Sequence, residues 1–331
     1  MTKKNYAIEF YRVIATIFIC IHHMQGKCGI SIFTHGDLLV DFFFILSGVF
    51  LAGSFAREKE HSGCSYFFRR VKRIYPEYLW AAVIAIASYS VIGKFDINSA
   101  LSELFMLQNT GPFSGGFNYP CWYLSTLMFA SFVIYELLKY NRDLFVKVIS
   151  PLLVLAGYTY ICKNWSHDFI WSLQGCLYIP MLRCICGITL GVFSCYVSKC
   201  DFVKKTGKGI GTAAELVCIA VAGIGLTTEV FSISIIISAF AVLIFLTYNQ
   251  CGLLGSKVLN QKCFDFAGGY SYSVYVNHGI LANFFDTVNQ SYLHMGKSLM
   301  LVYLAAVIIY SIVTHHVITF IVSKLDNRKK T

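Results

Sequence analysis

Two histidines, an arginine and a glutamate share one apolar stretch near the start of the chain, IEFYRVIATIFICIHHM. An imidazole can take up and return a proton near neutral pH, and a guanidinium can hold an anion through several hydrogen bonds. Both groups are costly in hydrocarbon, so their presence there points to pairing or to function. Arg12 and His23 are eleven residues apart. On a straight helix they fall within about 20° of one face and roughly 16 Å apart along the axis. They form one polar stripe, with Arg12 in the half nearer the N-terminus and His23 toward the far end, and they cannot touch. His22 lies about 80° away from Arg12 and stays open as an alternative to His23 for a general base. Glu9, three residues before Arg12, is placed to pair with it. The bland alternative is a snorkelling arginine with interfacial histidines.

Other polar groups interrupt later apolar stretches. Asp41 opens LLVDFFFILSGVFLAGSF; it could orient a histidine, bind a polar head group or sit at an interface. Ser47 and Gly48 form a small patch, which suits close helix packing. Arg183 lies in IPMLRCICGITLG and could hold an anion or pair with an acidic side chain. His278 lies deep in GGYSYSVYVNHGILANFF beside Asn277, either as glue between helices or as part of a site. His315 and His316, in the last stretch, read as structural. Arg69, Arg70, Lys72 and Arg73 cluster just before Pro76. That cluster either follows the positive-inside rule or clamps phosphate, since guanidinium forks match phosphate oxygens. GKGIGT at 207–212 lacks the Lys-Ser/Thr ending of a P-loop, so ATP hydrolysis is not expected. Cysteines are scattered with no CxxC pair, no HExxH is present, and no metal is expected.

These groups need elements to position them. Of 331 residues, 56% are hydrophobic and only 13% charged, and mean hydropathy is +0.62. That balance excludes a soluble globular domain and describes an all-α polytopic membrane protein. Ten apolar stretches are long enough to span, at 8–25, 37–55, 77–93, 121–138, 144–162, 175–197, 213–228, 230–249, 268–287 and 299–322. The seventh and eighth are either two spans around Thr227-Thr228-Glu229 or one long kinked element. With the N-terminus inside, 21 of the 27 lysines and arginines fall on the inner side and four on the outer, with Arg12 and Arg183 inside the spans. This bias places both termini in the cytoplasm. The net charge of +10 is therefore a topology device, and no nucleic-acid partner is expected. The first stretch reads as a retained helix, since no small-x-small cleavage site follows it. A basic cytoplasmic loop is expected at 56–76 and an extracytoplasmic loop at 94–120, within a single membrane domain covering 1–331.

Four segments, in order, resemble the acyltransferase 3 family of integral membrane acyltransferases. The first is an arginine, ten residues and a histidine, here Arg12 and His23 with Ala15 between. The second is V-D-x-F-F-x-x-S-G, here Val40, Asp41, Phe43, Phe44, Ser47 and Gly48. The third is R-x-x-R-I-x-P-x-Y, here Arg70, Arg73, Ile74, Pro76 and Tyr78. The fourth is S-Y-S-x-Y-x-x-H, here Ser271, Tyr272, Ser273, Tyr275 and His278. The chain resembles a single-domain member that lacks the extracytoplasmic hydrolase-like domain of some relatives. It departs from the family's W-x-L-x-x-E: WYLSTLMF, from Trp122 to Phe129, carries no acid and is similar to the subgroup with W-Y-L/I-S.

The resemblance implies ten helices in a bacterial-type cytoplasmic membrane. It implies transfer of an acyl group, usually acetyl from acetyl-CoA, to a hydroxyl of a cell-surface glycan or lipid-linked sugar. The donor would come from the cytoplasm and membrane lipids would surround the bundle. In these terms His23 is the base (His22 its alternative), and Arg12 and Asp41 support it. Arg69, Arg70, Arg73 and Tyr78 surround the donor, while Trp122, Tyr123, Ser125, Asn277, His278 and Arg183 contact substrate. Arg12 is too far from His23 for an oxyanion and is expected on the donor arm, with Tyr123 or a backbone amide for the oxyanion. A glycolipid transporter or flippase would use the same polar track with no covalent change.

Overall fold

The computed structural model describes residues 4–58, 62–110, 115–175, 177–198 and 207–328. Twelve α-helices run through the described residues. They are α1 Tyr6–Gln25, α2 Leu39–Arg57, α3 Gly63–Val91, α4 Ile97–Leu104, α5 Trp122–Leu144 and α6 Ser150–Lys163. They continue with α7 His167–Ile170, α8 Ile179–Val197, α9 Lys208–Thr227, α10 Ile233–Tyr248, α11 Cys263–Val288 and α12 Leu299–Arg328. One two-stranded hairpin, β1 Leu173–Gln174 with β2 Leu177–Tyr178, leads into α8.

Each of the ten apolar stretches read from the sequence coincides with a helix. Six helical segments among the described residues are long and apolar enough to cross a membrane. One of these, Tyr119–Lys163, covers two of the ten stretches. It is bent at Asn141, whose backbone leaves helical geometry (φ −153°, ψ 92°), and the Asn141 side chain accepts from the Leu144 amide at 3.0 Å to restart the helix. Pro151 follows, and the turn before it, Phe145–Ile149, widens to π geometry. The seventh and eighth stretches are two helices, α9 and α10, folded against each other where Gly225 meets Ile236.

Two loop expectations change. Residues 63–76 are not a loop but the first half of α3, capped by the Ser62 hydroxyl on the Ser65 amide. Pro76 is tolerated inside this helix. The arginines therefore stand on a rigid rod at helical spacing rather than on a flexible segment. The 94–120 stretch contains the short amphipathic helix α4, capped by Asp96 on the Ser99 amide. Gly111 and Pro112 lie outside the described residues, as do His61 and, of the inner basic residues, Lys3, Lys59, Lys199, Lys204, Lys205, Lys329 and Lys330. GKGIGT forms the start of α9.

The bundle closes through small residues. A Cβ on Gly48 of α2 would lie 2.0 Å from the Ile188 carbonyl oxygen of α8, and one on Gly191 of α8 would lie 2.0 Å from the Ile45 carbonyl oxygen of α2. The two backbones touch, as small residues permit in a lipid-facing bundle. On the other side α1 packs against α11, where Gly268 leaves room for the buried Glu9 side chain. The two ends of the described chain meet at one end of the bundle. There Lys4 bonds Asp265 at the start of α11, and Lys72 of α3 pairs with Asp326 of α12 at 3.1 Å.

Gly191→Ala is expected to destabilise the protein by about 1–3 kcal/mol, because the added methyl has only backbone to displace. Thermal unfolding of purified protein in detergent measures this. An unchanged midpoint would show that α2 and α8 separate without cost.

Candidate functional site

The polar stripe of α1 does not face lipid. Its two ends line two separate cavities. The one at the His23 end has a volume of about 740 Å³, and the one at the Arg12 end about 1030 Å³. The sequence predicted one continuous track; the structure interrupts it with a partition of aromatic rings.

His22 and His23 both line the smaller cavity. Their rings are 5.3 Å apart, and His23 also lies 5.0 Å from Tyr119 and 5.2 Å from His278. Gly36 packs flat against His22, where a Cβ would fall 2.5 Å from the imidazole. His22 Nδ1 lies 3.4 Å from Gln25 Nε2, whose amide also ties down Phe33. His278 is fully buried, and its Nδ1 donates to the Tyr275 carbonyl at 2.5 Å. That bond fixes the hydrogen on Nδ1 and leaves Nε2 as an acceptor, and Nε2 has no partner among the described residues. Three imidazoles thus form one cluster, the innermost with a bare lone pair.

Behind His278 the ring contacts continue to Tyr275 at 5.4 Å and from Tyr275 to Tyr123 at 5.4 Å. Tyr123 and Tyr275 line the larger cavity. The wall between the cavities is therefore His278 backed by these two tyrosines and Phe43. Both tyrosine hydroxyls in it are anchored: Tyr275 donates to the Pro120 carbonyl at 2.7 Å, and the Tyr123 hydroxyl lies 3.4 Å from Ser47 Oγ.

The larger cavity is cationic. Lys4, Arg12, Arg57, Arg69, Arg70 and Arg73 line it against two carboxylates, Glu9 and Glu77. Arg12 pairs with Glu9 at 2.6 Å, as the three-residue spacing predicts. Arg69 is bound to Glu58. Burial pushes the Glu58 carboxyl up, but the Tyr135 hydroxyl and the Arg69 charge outweigh it and hold the group below its ordinary range. Arg70 bonds the Tyr66 hydroxyl at 2.7 Å. Among the described residues Arg57, Arg70 and Arg73 have no carboxylate partner, so their charge is available to an anion.

Several predicted residues stand elsewhere. Asp41 does not touch the histidines. It is buried against Arg183, 2.6 Å from Nη2, and Tyr158 donates to it at 3.4 Å. Arg183, 1% exposed, lies over Trp165 at 4.8 Å and Trp122 at 6.0 Å, so the pair supports the wall of the histidine cavity from behind. Tyr78 is buried away from the arginines and bonds the Glu103 carbonyl and Gln108. Ser125 also donates to Gln108. Asn277 faces α12, bonding Thr314 at 3.2 Å and Ser311 at 3.4 Å, away from both cavities. Trp122 lines the histidine cavity.

Sequence reasoning missed Glu77, and with it the partner of His315, which it read as structural. His315 Nδ1 lies 2.8 Å from Glu77, which Ser273 also bonds, so α3, α11 and α12 are clasped at the wall of the cationic cavity. No local spacing links these three; only the fold brings them together. It also missed Tyr119, Gln108 and Arg57, whose types are ordinary in loops and at helix ends.

Glu103 holds the loop that carries Tyr119. Its Oε2 accepts from the Asn118 amide at 3.1 Å, and Asn118 Nδ2 reaches the Val276 carbonyl on α11 at 2.8 Å. The other oxygen, Oε1, is buried with no partner among the described residues. Burial pushes the Glu103 carboxyl up to about 7, against the hydrogen bond from Asn118.

A family model described as an acyltransferase domain matches residues 5–320, nearly the whole chain. No curated protein and no solved structure matches it.

The Glu103 shift fixes a pH dependence. Between the unfolded value near 4.5 and the folded value near 7, the folded state holds the proton that the unfolded chain loses, so stability falls as pH rises through that window. Glu103→Gln, which cannot ionise, is expected to remove that slope. Unfolding midpoints of parent and variant in detergent at pH 5 to 8 test it; parallel profiles would place the pH dependence on other groups.

Proposed function

The chain belongs to the acyltransferase 3 family and is a membrane acyltransferase; from that premise we propose that it moves a short acyl group, acetyl in the first instance, from a coenzyme A thioester to a hydroxyl of a glycan or lipid-linked saccharide. The observation that carries this reading is the pairing of sites on α1. A cationic cavity at the Arg12 end and an imidazole cluster at the His23 end are separated by one layer of rings.

The donor's phosphates would sit with Arg57, Arg70 and Arg73, whose charge is uncommitted, in the cytoplasm-facing cavity. Guanidinium forks bind phosphate oxygens through charge-assisted hydrogen bonds. Arg12, paired with Glu9, is roughly 16 Å of helix from His23 and acts along the donor arm, not at the reacting carbon. For reaction, the Tyr123 and Tyr275 rings part enough for the thioester carbonyl to reach the histidines. The acceptor oxygen attacks that carbon while His23 takes its proton. His278, whose ring packs 5.2 Å from that of His23, limits the orientations His23 can take, and its unpartnered Nε2 is free to accept a hydrogen bond from the acceptor. The oxyanion takes its hydrogen bond from a backbone amide, or from the Tyr123 hydroxyl once the rings have parted. The carbon–sulfur bond then breaks. The thiolate returns to the cationic cavity and picks up a proton there, and His23 releases its proton to the smaller cavity. No bond to the protein is required. Cys20 is buried and free.

The competing reading is a carrier that moves the saccharide unchanged. Mass spectrometry of the producing cell's glycans, with and without the gene, separates the two by the presence or absence of an acetyl increment.

Two variants test the assignments. His23→Ala is expected to lower the acyl-transfer rate by about 10²–10⁴-fold, the span for loss of a general base, with protein still inserted and folded. Normal transfer would retire His23 and turn attention to His22. Replacing Arg70 and Arg73 by alanine is expected to raise the donor KM by about 10- to 100-fold with little change in kcat, as loss of charge-assisted hydrogen bonds predicts. An unchanged acetyl-CoA titration in the inserted double variant would remove the clamp.

A further inference from the structure

The two cavities have opposite charge, and the contrast bears on the acceptor. Six cationic side chains line the larger cavity. Among the described residues no lysine or arginine lines the smaller one, while two carboxylates, Asp37 and Glu229, do. Neither carboxylate has an ion-pair partner among the described residues. The nearest guanidinium, Arg183, is spent: it is 1% exposed, bound to Asp41 at 2.6 Å, and its remaining Nη2 contact is the Asp37 backbone oxygen at 3.4 Å.

The rest of the lining is four imidazoles, His22, His23, His35 and His167, with aromatic and amide groups and a few small residues. Trp122 and Trp171 meet edge to face, with centroids 5.0 Å apart at 84°, and so present a floor and a wall. Trp165 and Tyr119 extend this surface, and Gln108 and Asn109 add amide groups. An aromatic face is electron-rich and accepts the polarised C–H face of a sugar ring, while amides and carboxylates hold its hydroxyls. The volume, about 740 Å³, lies within the range of small-ligand sites.

Resting on the acyl-transfer reading, we propose that this cavity selects a saccharide unit that carries no acidic group, neutral or amine-bearing, and excludes uronic, sialic and phosphorylated sugars. A carboxylate or phosphate brought into it would lose its water and meet Asp37 and Glu229 with neither lysine nor arginine on the described lining to offset those costs. A neutral ring loses little. An amine gains a charge partner.

Tryptophan fluorescence reads this directly, since three of the four tryptophans line the cavity and the fourth, Trp80, lies on α3 bonded to Tyr310. Purified full-length protein is titrated with three probes: an N-acetylglucosamine tetramer, a glucosamine tetramer and a galacturonate tetramer. The first two are expected to give saturable changes and the third to bind at least about tenfold more weakly, about 1.4 kcal/mol. Asp37→Asn with Glu229→Gln is expected to bring the acidic probe within about threefold of the neutral one. Glu229→Gln alone, at an exposed turn, should narrow the gap in part and guards against a misfolded double variant. Equal or tighter binding of galacturonate by the parent, no response to any saccharide, or an unaltered ratio in both variants overturns the proposal. Acetyl transfer is scored separately. Selective binding with no transfer retires the enzymatic reading and keeps the selectivity, whereas transfer to acidic saccharides retires the selectivity alone.

Discussion

The bundle is organised by a single requirement: a charge that leaves water must meet another polar group. On α1 this applies at both ends of one face. Arg12 is met by Glu9, and Glu9 is admitted because α11 presents Gly268 there. The histidines at the far end are met by one another and by Tyr119 on a loop that Glu103 and Asn118 fasten to α11. Arg183 and Asp41 satisfy the same requirement across α2 and α8. Removing one partner of a buried pair of this kind costs about 3–5 kcal/mol, because the other is left charged and alone. The close approach at Gly48 and Gly191 is what allows Arg183 and Asp41 to meet. The helix contacts and the polar contacts are thus two aspects of one packing solution.

How much of this was legible in the sequence followed the range of the interaction. Ten apolar stretches became helices because length and hydropathy are local. Glu9 with Arg12 was readable because three residues is a helical neighbour distance. Asp41 with Arg183 was not, since their separation of 142 residues leaves no spacing rule to apply. The same limit hid the clasp of Glu77 by His315 and Ser273. Tyr78 and Asn277 were misplaced for a related reason: a motif gives adjacency along the chain, while a helix turns neighbours onto different faces. Tyr78 is five residues beyond Arg73 and points to Glu103. Asn277 precedes His278 by about 100° and points to α12. The loop expected at 56–76 is helical from Gly63, where the Ser62 hydroxyl caps the start of α3.

The opposite signs of the two cavities follow from the same spacing logic. The cationic groups come from α1, α2 and α3 at one end, where the positive-inside bias already concentrates them. The far end has Asp37 and Glu229 from connections between helices, with Arg183 withdrawn from the surface by Asp41. One helix therefore runs between a region suited to a multiply phosphorylated ligand and a region that repels one. Any ligand carrying several negative charges is favoured on the cationic side by charge, before any shape is considered.

The ring partition then decides what can cross. A thioester is stable to water for long periods but not beside an activated nucleophile, so an open channel would expose the donor to hydrolysis at the histidine cluster. His278, Tyr275 and Tyr123, with centroids 5.4 Å apart in succession, stand between the two cavities. Their anchors are unequal. Tyr123 has a long contact to Ser47, while Tyr275 is held by the Pro120 carbonyl, one residue from the Tyr119 ring that packs on His23. The wall of the histidine cavity and the anchor of the partition are thus adjacent residues of one short segment.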